Sequence, residues 1–170
     1  MVHSENPFLP EPDDRDPVRR FRGRIAAGVS IVTAGSGTSR TGLTVSSLLV
    51  VEGDPAVVYL LVGPTTDLWS TVVATGRFVV HLCRFEHRRL ADVFAGLAPS
   101  PGGLFAGSAA RESAWGPELI ELRDRLYCGF SSREETGWSG LIVGTVDEVQ
   151  VSDQADPLVH YRGRYRTLAD

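Results

Sequence analysis

The 170-residue chain carries only two cysteines, one methionine and four histidines. Each scarcity removes a class of protein. Cys83 and Cys128 lie in apolar segments and form no CxxC pair, so neither a disulfide framework nor a zinc site is expected. Reduced, buried thiols are expected instead, and with them a cytoplasmic setting. The histidines at 3, 81, 87 and 160 show no HExxH pattern and no paired metal spacing. His81 alternates with strand residues and His87 opens a helix, which gives both structural or surface roles. No run of 18 apolar residues exists, so a membrane-spanning helix is excluded. The opening "MVHSENPFLPEPDDRDP" lacks the apolar centre of a signal peptide and reads as a disordered or draped arm over residues 1–16. A net charge of -4 leaves no concentrated basic face for nucleic acid. The basic clusters "RRFRGR" and "YRGRYR" read as solvated element ends. Neither a GxSxG elbow nor a GxxxxGK[ST] loop occurs, and "GSGTSRTG" lacks the spacing of a dinucleotide fingerprint.

What remains is a chain with 42% apolar residues, enough to build a core in one domain over residues 17–170. Asp16-Pro17 followed by Val18, Phe21 and Ile25 predicts a capped amphipathic helix that stops at Gly28. "VSIVTA" predicts a short buried strand. "LTVSSLLVV" and "AVVYLLV" predict two more, joined by "EGDP", and their continuous apolar character predicts burial on both faces. "TTDLWSTVVATG" is a helix with a hydroxyl or Asp cap and Gly76 at its end. "RFVVHLC" is a strand, and "EHRRLADVFAG" an amphipathic helix with Leu90, Val93 and Phe94 on one face. The segments "RLYCGFSS" and "GLIVGTVDEVQVS" predict a hairpin around "REETGWS", and "PLVHYRGRY" a last strand. Many short strands with two or three small helices indicate a mainly β fold, a barrel with helical decorations. The central β-β-β run lacks the long crossovers of a doubly wound sheet.

With no catalytic cluster in view, the hydroxyls stand out. Thr44, Ser46 and Ser47 sit on one strand, and Thr65-Thr66 precede a helix whose free N–H groups and dipole favour a phosphate. Backbone groups on the neighbouring strand can hydrogen-bond the edge of a flat heterocycle. An ordinary N-cap beside an ordinary strand end accounts for the same residues equally well.

The order of segments resembles the flavin reductase family. "FRGRIAAGVSIVTA", "GLTVSSLLVVEGDPAVVYLLVG", "GRFVVHLC", "LADVFAG", "LIVGTVDEV" and "DPLVHYRGRY" follow in the family's order from Phe21 to Tyr165. The resemblance implies an FMN-binding split barrel of Greek-key type and hydride transfer from NADH or NADPH to FMN or FAD. It implies that Thr44, Val45, Ser46 and Ser47 lie along the isoalloxazine ring. The stretch Leu61, Val62, Gly63, Thr65, Thr66 and Asp67 would then run to the flavin phosphate. Phe94-Ala95 and the aromatic-basic ending from Tyr161 to Tyr165, with Arg164 and Tyr165 foremost, would close the pocket. Family members commonly carry a Gly-Asp-His triplet whose imidazole helps seat the nicotinamide. Gly137-Trp138-Ser139 stands at that place here, which makes Trp138 and Ser139 the nicotinamide-side candidates; a hairpin tryptophan that plugs the barrel mouth or the dimer seam is the other reading of Trp138. The resemblance also implies a homodimer and a partner monooxygenase that receives reduced flavin. A non-catalytic accessory or scaffold subunit, with or without flavin, is the alternative that the altered triplet leaves open.

Overall fold

The structure is a computed structural model and describes residues 16–153 and 155–168. All but the last residue of the expected N-terminal arm therefore lies outside the described residues.

The first helix, α1 (Pro17–Arg22), is capped by Asp16, whose carboxylate accepts the Val18 N–H at 2.8 Å. It ends at Gly23, not at Gly28, and buries nothing: Val18 and Phe21 are more than 70% exposed. The expected apolar face forms but has no partner among the described residues. After β1 (Ala27–Gly28) comes β2 (Ser30–Ala34), a strand buried at every position. A short 3-10 turn then leads into β3 (Thr41–Val45).

"LTVSSLLVV" is not one strand. It breaks at Ser46-Ser47, and β4 (Leu48–Val51) starts on the far side of the break. The reason is topological. With β5 (Val57–Val62), β6 (Arg77–Leu82), β9 (Arg125–Thr136) and β10 (Ser139–Gln150), these strands form an antiparallel sheet ordered β3-β2-β6-β9-β10-β5-β4. Two residues thus connect the two outermost strands of a seven-stranded sheet. Laid flat, those edges would stand roughly 30 Å apart at the usual strand spacing, whereas the link reaches only about 10 Å. The sheet has to curl until its edges meet. They meet without pairing, because β3 bonds only to β2 and β4 only to β5. The result is a barrel split along one seam, the mainly β architecture expected from the sequence.

Two apolar clusters lie on either side of β2. Val32 and Ala34 face the barrel interior with Leu60, Phe78 and Ile142, under the cover of α2 (Asp67–Thr75), which adds Leu68, Trp69 and Val72. Ile31 faces outward, toward Phe94, Leu119 and Leu158. That second cluster is roofed by α3 (Arg88–Phe94), with Leu90 and Val93 packed beside Phe94 as the periodicity predicts. Burial on both faces therefore belongs to β2 and not to β4. Leu49, Val50 and Val51 on β4 are all more than 40% exposed, and β5 buries only its alternate residues.

A two-stranded ribbon, β7 (Ala110–Glu112) and β8 (Pro117–Leu119), follows the glycine-rich loop. The β9–β10 hairpin is longer than expected, since "REET" continues β9 and the turn is only Gly137-Trp138. The last segment is a hairpin, β11 (Val159–Tyr161) and β12 (Arg164–Arg166), turned by Arg162-Gly163. Both turn residues have positive φ, which allows two three-residue strands to reverse tightly. With β1 they form a separate small sheet ordered β1-β11-β12.

Candidate functional site

A cavity of about 250 Å³ opens where the seam, α3 and the small sheet converge. Thr44 and Ser46 come from the strand that reaches the seam. Asp92, Ala95 and Leu97 come from α3 and the turn after it. Val29, His160, Gly163 and Tyr165 come from the small sheet and its approach. Its size is slightly below the roughly 300–1,000 Å³ usual for ligand pockets, so it suits one ring system and not a whole dinucleotide.

Of the residues expected to cradle a ligand, this cavity gathers Thr44, Ser46, Ala95 and Tyr165. The hydroxyls are less free than their clustering suggests. Thr44 donates to the Ala91 carbonyl at 2.6 Å and so ties β3 to α3. Ser47 donates to the Leu61 carbonyl at 2.8 Å. Thr66 donates to Gly63 O at 2.7 Å and caps α2 by accepting the Trp69 N–H at 3.3 Å. Asp67, one of the two cap candidates, is instead the exposed first residue of α2. Ser46 and Thr65 alone of the five hydroxyls make no such bond among the described residues, and both are exposed.

Four further expectations change for reasons of side-chain direction. Val45 and Val62 point into the barrel core, 3% and 4% exposed, so only their backbone can face a ligand. Phe94 is 2% exposed and packs edge-on against Phe105, with centroids 5.2 Å apart. It holds α3 down and does not close the cavity. Arg164 alternates with Tyr165 on β12, so it projects from the opposite face. Trp138 stands 95% exposed at the tip of the β9–β10 hairpin, and neither it nor the half-buried Ser139 lines the cavity. The indole does not plug the barrel.

Asp92 and His160 were not singled out from the sequence, whereas Gly163 falls inside the ending expected to close the pocket. The only local signals of the first two were a polar residue inside "LADVFAG" and a histidine before "YRGRY". Tyr165 packs edge-on to His160 at 6.2 Å, the two being register partners on β12 and β11. Burial, with the Asp92 carboxylate beside it, pushes the Tyr165 phenol up to about 12, so it keeps its proton. A Cβ on Gly163 would meet nothing within 4 Å, so the turn leaves open space at the cavity wall.

Elsewhere the titratable groups are structural. His81 is pinned between the Ile31 carbonyl and the Leu119 N–H, and burial lowers it to about 3. Both cysteines are buried and unpaired, with their thiols pushed up to about 12.

A family profile described as "Flavin reductase like domain" matches residues 22–169. The chain belongs to the flavin reductase-like family. It is 34% identical to the "NADH-dependent FMN reductase AsuE2" of Streptomyces nodosus subsp. asukaensis, over 92% of this chain and 86% of that one. The reductase component of a 4-hydroxyphenylacetate 3-monooxygenase from Thermus thermophilus is 28% identical over 85% of this chain and 91% of its own. Among solved structures, the NADH:FAD oxidoreductase SgcE6 of Streptomyces globisporus superposes with a TM-score of 0.82 at 25% identity, covering 95% of this chain and 98% of that one. The cavity is of a size and a mixed polarity that fit a flat ring, and the outer edge of β3, which bonds to no strand, borders it at Thr44. No helix among the described residues is long and apolar enough to cross a membrane.

Proposed function

We propose that this protein transfers hydride from NADH or NADPH to FMN or FAD held at the barrel seam. The observation that carries the reading is the unpaired seam between β3 and β4, with Ser46 on a ring-sized cavity in a chain of this family. Bound flavin would supply the electron-accepting ring. The chain's own residues have the work of binding, orientation and water exclusion, which suits a site without a catalytic cluster.

Ser46 and the backbone on either side of it border the ring edge. Thr65 and the first turn of α2 do not line the cavity and would meet the phosphate end of a flavin that extends past it. Ala95 and Tyr165 line the wall opposite the strand. Thr44 and Phe94 act one step back, fastening α3 so that this wall keeps its distance.

A second copy of the chain completes the picture. Leu49, Val50 and Val51 on β4, with Leu61 beside them on β5, leave an apolar strip at the sheet edge. A homodimer would cover it. The two relatives named as a monooxygenase component and an FMN reductase support a role in supplying reduced flavin to a separate oxygenase, in the cytoplasm, where both thiols stay reduced.

The test is NADH oxidation by the purified protein with FMN or FAD added, followed by loss of nicotinamide absorbance. Turnover with either flavin supports the reading. Flavin binding without NADH oxidation would favour the accessory-subunit alternative.

A further inference from the structure

The cavity wall has an uneven charge. Among the described residues that line it, Asp92 is the only carboxylate and none is an arginine. Arg164 and Arg166 on the nearest strand are directed to the other face by strand alternation. The phenol next to Asp92 keeps its proton and cannot balance the charge, and Ser46 and Thr44 are neutral. The one carboxylate of that lining is therefore offset by no guanidinium of the lining itself.

Hydride transfer changes the charge of the flavin ring. Two electrons and one hydrogen leave the nicotinamide, which becomes cationic, and arrive on a neutral ring, which becomes an anion unless a proton follows. A fixed carboxylate is indifferent to the neutral ring and repels the anionic one. We propose that Asp92 is a specificity residue for redox state, making the site bind oxidised flavin more tightly than reduced flavin and so expelling the product of its own reaction. This inference rests on the reading of the cavity as the flavin site. It deepens that reading by giving a physical cause for release to a separate acceptor. Asp92 is half-buried at the helix surface, so its charge is only partly screened and its replacement does not open the core.

The experiment is an anaerobic equilibrium titration at pH 8, with oxidised FMN and with chemically reduced FMN, of the wild type, Asp92→Asn and Asp92→Glu. The readout is the ratio of the two dissociation constants, which does not depend on turnover. Wild type should prefer oxidised FMN. Asp92→Asn should shrink that preference about tenfold, mainly by tightening the reduced form. Asp92→Glu, which keeps the charge, should retain it. An unchanged ratio in Asp92→Asn would overturn the proposal while leaving the flavin site standing. Tighter binding of reduced FMN by the wild type would overturn it as well. No binding of oxidised FMN by the wild type would sink both this inference and the reading beneath it.

Discussion

Ser47 grips Leu61 twice: its hydroxyl donates to the Leu61 carbonyl at 2.8 Å and accepts the Leu61 N–H at 3.3 Å. With the backbone bond from Leu61 N–H to the Ser47 carbonyl at 3.3 Å, these contacts carry the β4–β5 pairing one residue into the link between β3 and β4. Ser47→Ala should lower stability by about 1 kcal/mol, the net worth of such bonds at an exposed position. Flavin affinity should fall with it, because the seam loosens. A denaturant midpoint and an FMN titration on the same sample check this; full affinity with reduced stability would mean that the seam does not shape the site.

Ser46 differs from Ser47 in having a free hydroxyl at the cavity. Ser46→Ala should weaken FMN binding only several-fold, as expected for one neutral hydrogen bond of about 0.5–1.5 kcal/mol. Ser46→Leu should abolish it by filling the ring's place. Normal FMN binding by Ser46→Leu, read by fluorescence quenching, would move the ring off this strand.

Gly42 shows how the barrel controls the cavity at a distance. A Cβ there would stand 2.6 Å from Phe94 Cε1 and 3.1 Å from the Val32 carbonyl. Gly42→Ala should cost about 1–3 kcal/mol by overpacking. It should also weaken FMN binding, because displacing Phe94 shifts α3 and with it Asp92 and Ala95. Thermal unfolding and the same titration report the two effects separately.

Trp138, by contrast, is almost wholly exposed. Trp138→Ala should change the stability of the monomeric chain by no more than about 0.5 kcal/mol. If the indole seats in a second copy, light scattering will show dimer dissociation at higher protein concentration. If it stacks on a nicotinamide, KM for NADH will rise with the dimer intact. A large loss of monomer stability would contradict its exposed position.

His81 sets a pH dependence. Its Nδ1–H donates to Ile31 O at 3.0 Å and its Nε2 accepts from Leu119 N at 3.1 Å, so only the neutral ring fits. Burial holds it at about 3 against the usual 6.5. Between those values the unfolded chain binds a proton that the folded chain refuses, so this contribution is full above pH 6.5 and declines as pH falls toward 3. The limiting slope is about 1.4 kcal/mol per pH unit. Unfolding free energies measured from pH 7 to pH 4 should show it, and His81→Gln should flatten it. An equal slope in the variant would assign the titration to other groups.

Elements governed by neighbours in sequence were legible from the sequence alone. α2 has its threonine cap and its left-handed Gly76, and β2, β5 and β6 fall where apolar runs of strand length lie between turn residues. The order of those segments also carried the family resemblance. The helical face of Leu90, Val93 and Phe94 was equally plain, because a period of 3.6 needs no knowledge of what the helix rests on.

What the sequence could not reveal is which atoms remain available once the chain closes. Thr44, Ser46, Ser47, Thr65 and Thr66 are the same kind of residue in the same kind of place. Three of them spend their hydroxyls on backbone carbonyls, two of those carbonyls lying 14 and 47 positions away. "LLVV" looks buried until the sheet order puts it on an edge, and Arg164 looks like a cavity residue until its strand register turns it outward. Asp92 and His160, 68 positions apart by their numbers, share a cavity only because the small β1-β11-β12 sheet folds back beside α3. Local propensity and periodicity determined the helices and the central strands in their order, but not the break at Ser46-Ser47 or the terminal hairpin. Closure of a seven-stranded sheet across a two-residue link decided the site, because only closure brings distant edges together and selects which polar groups are left without a protein partner.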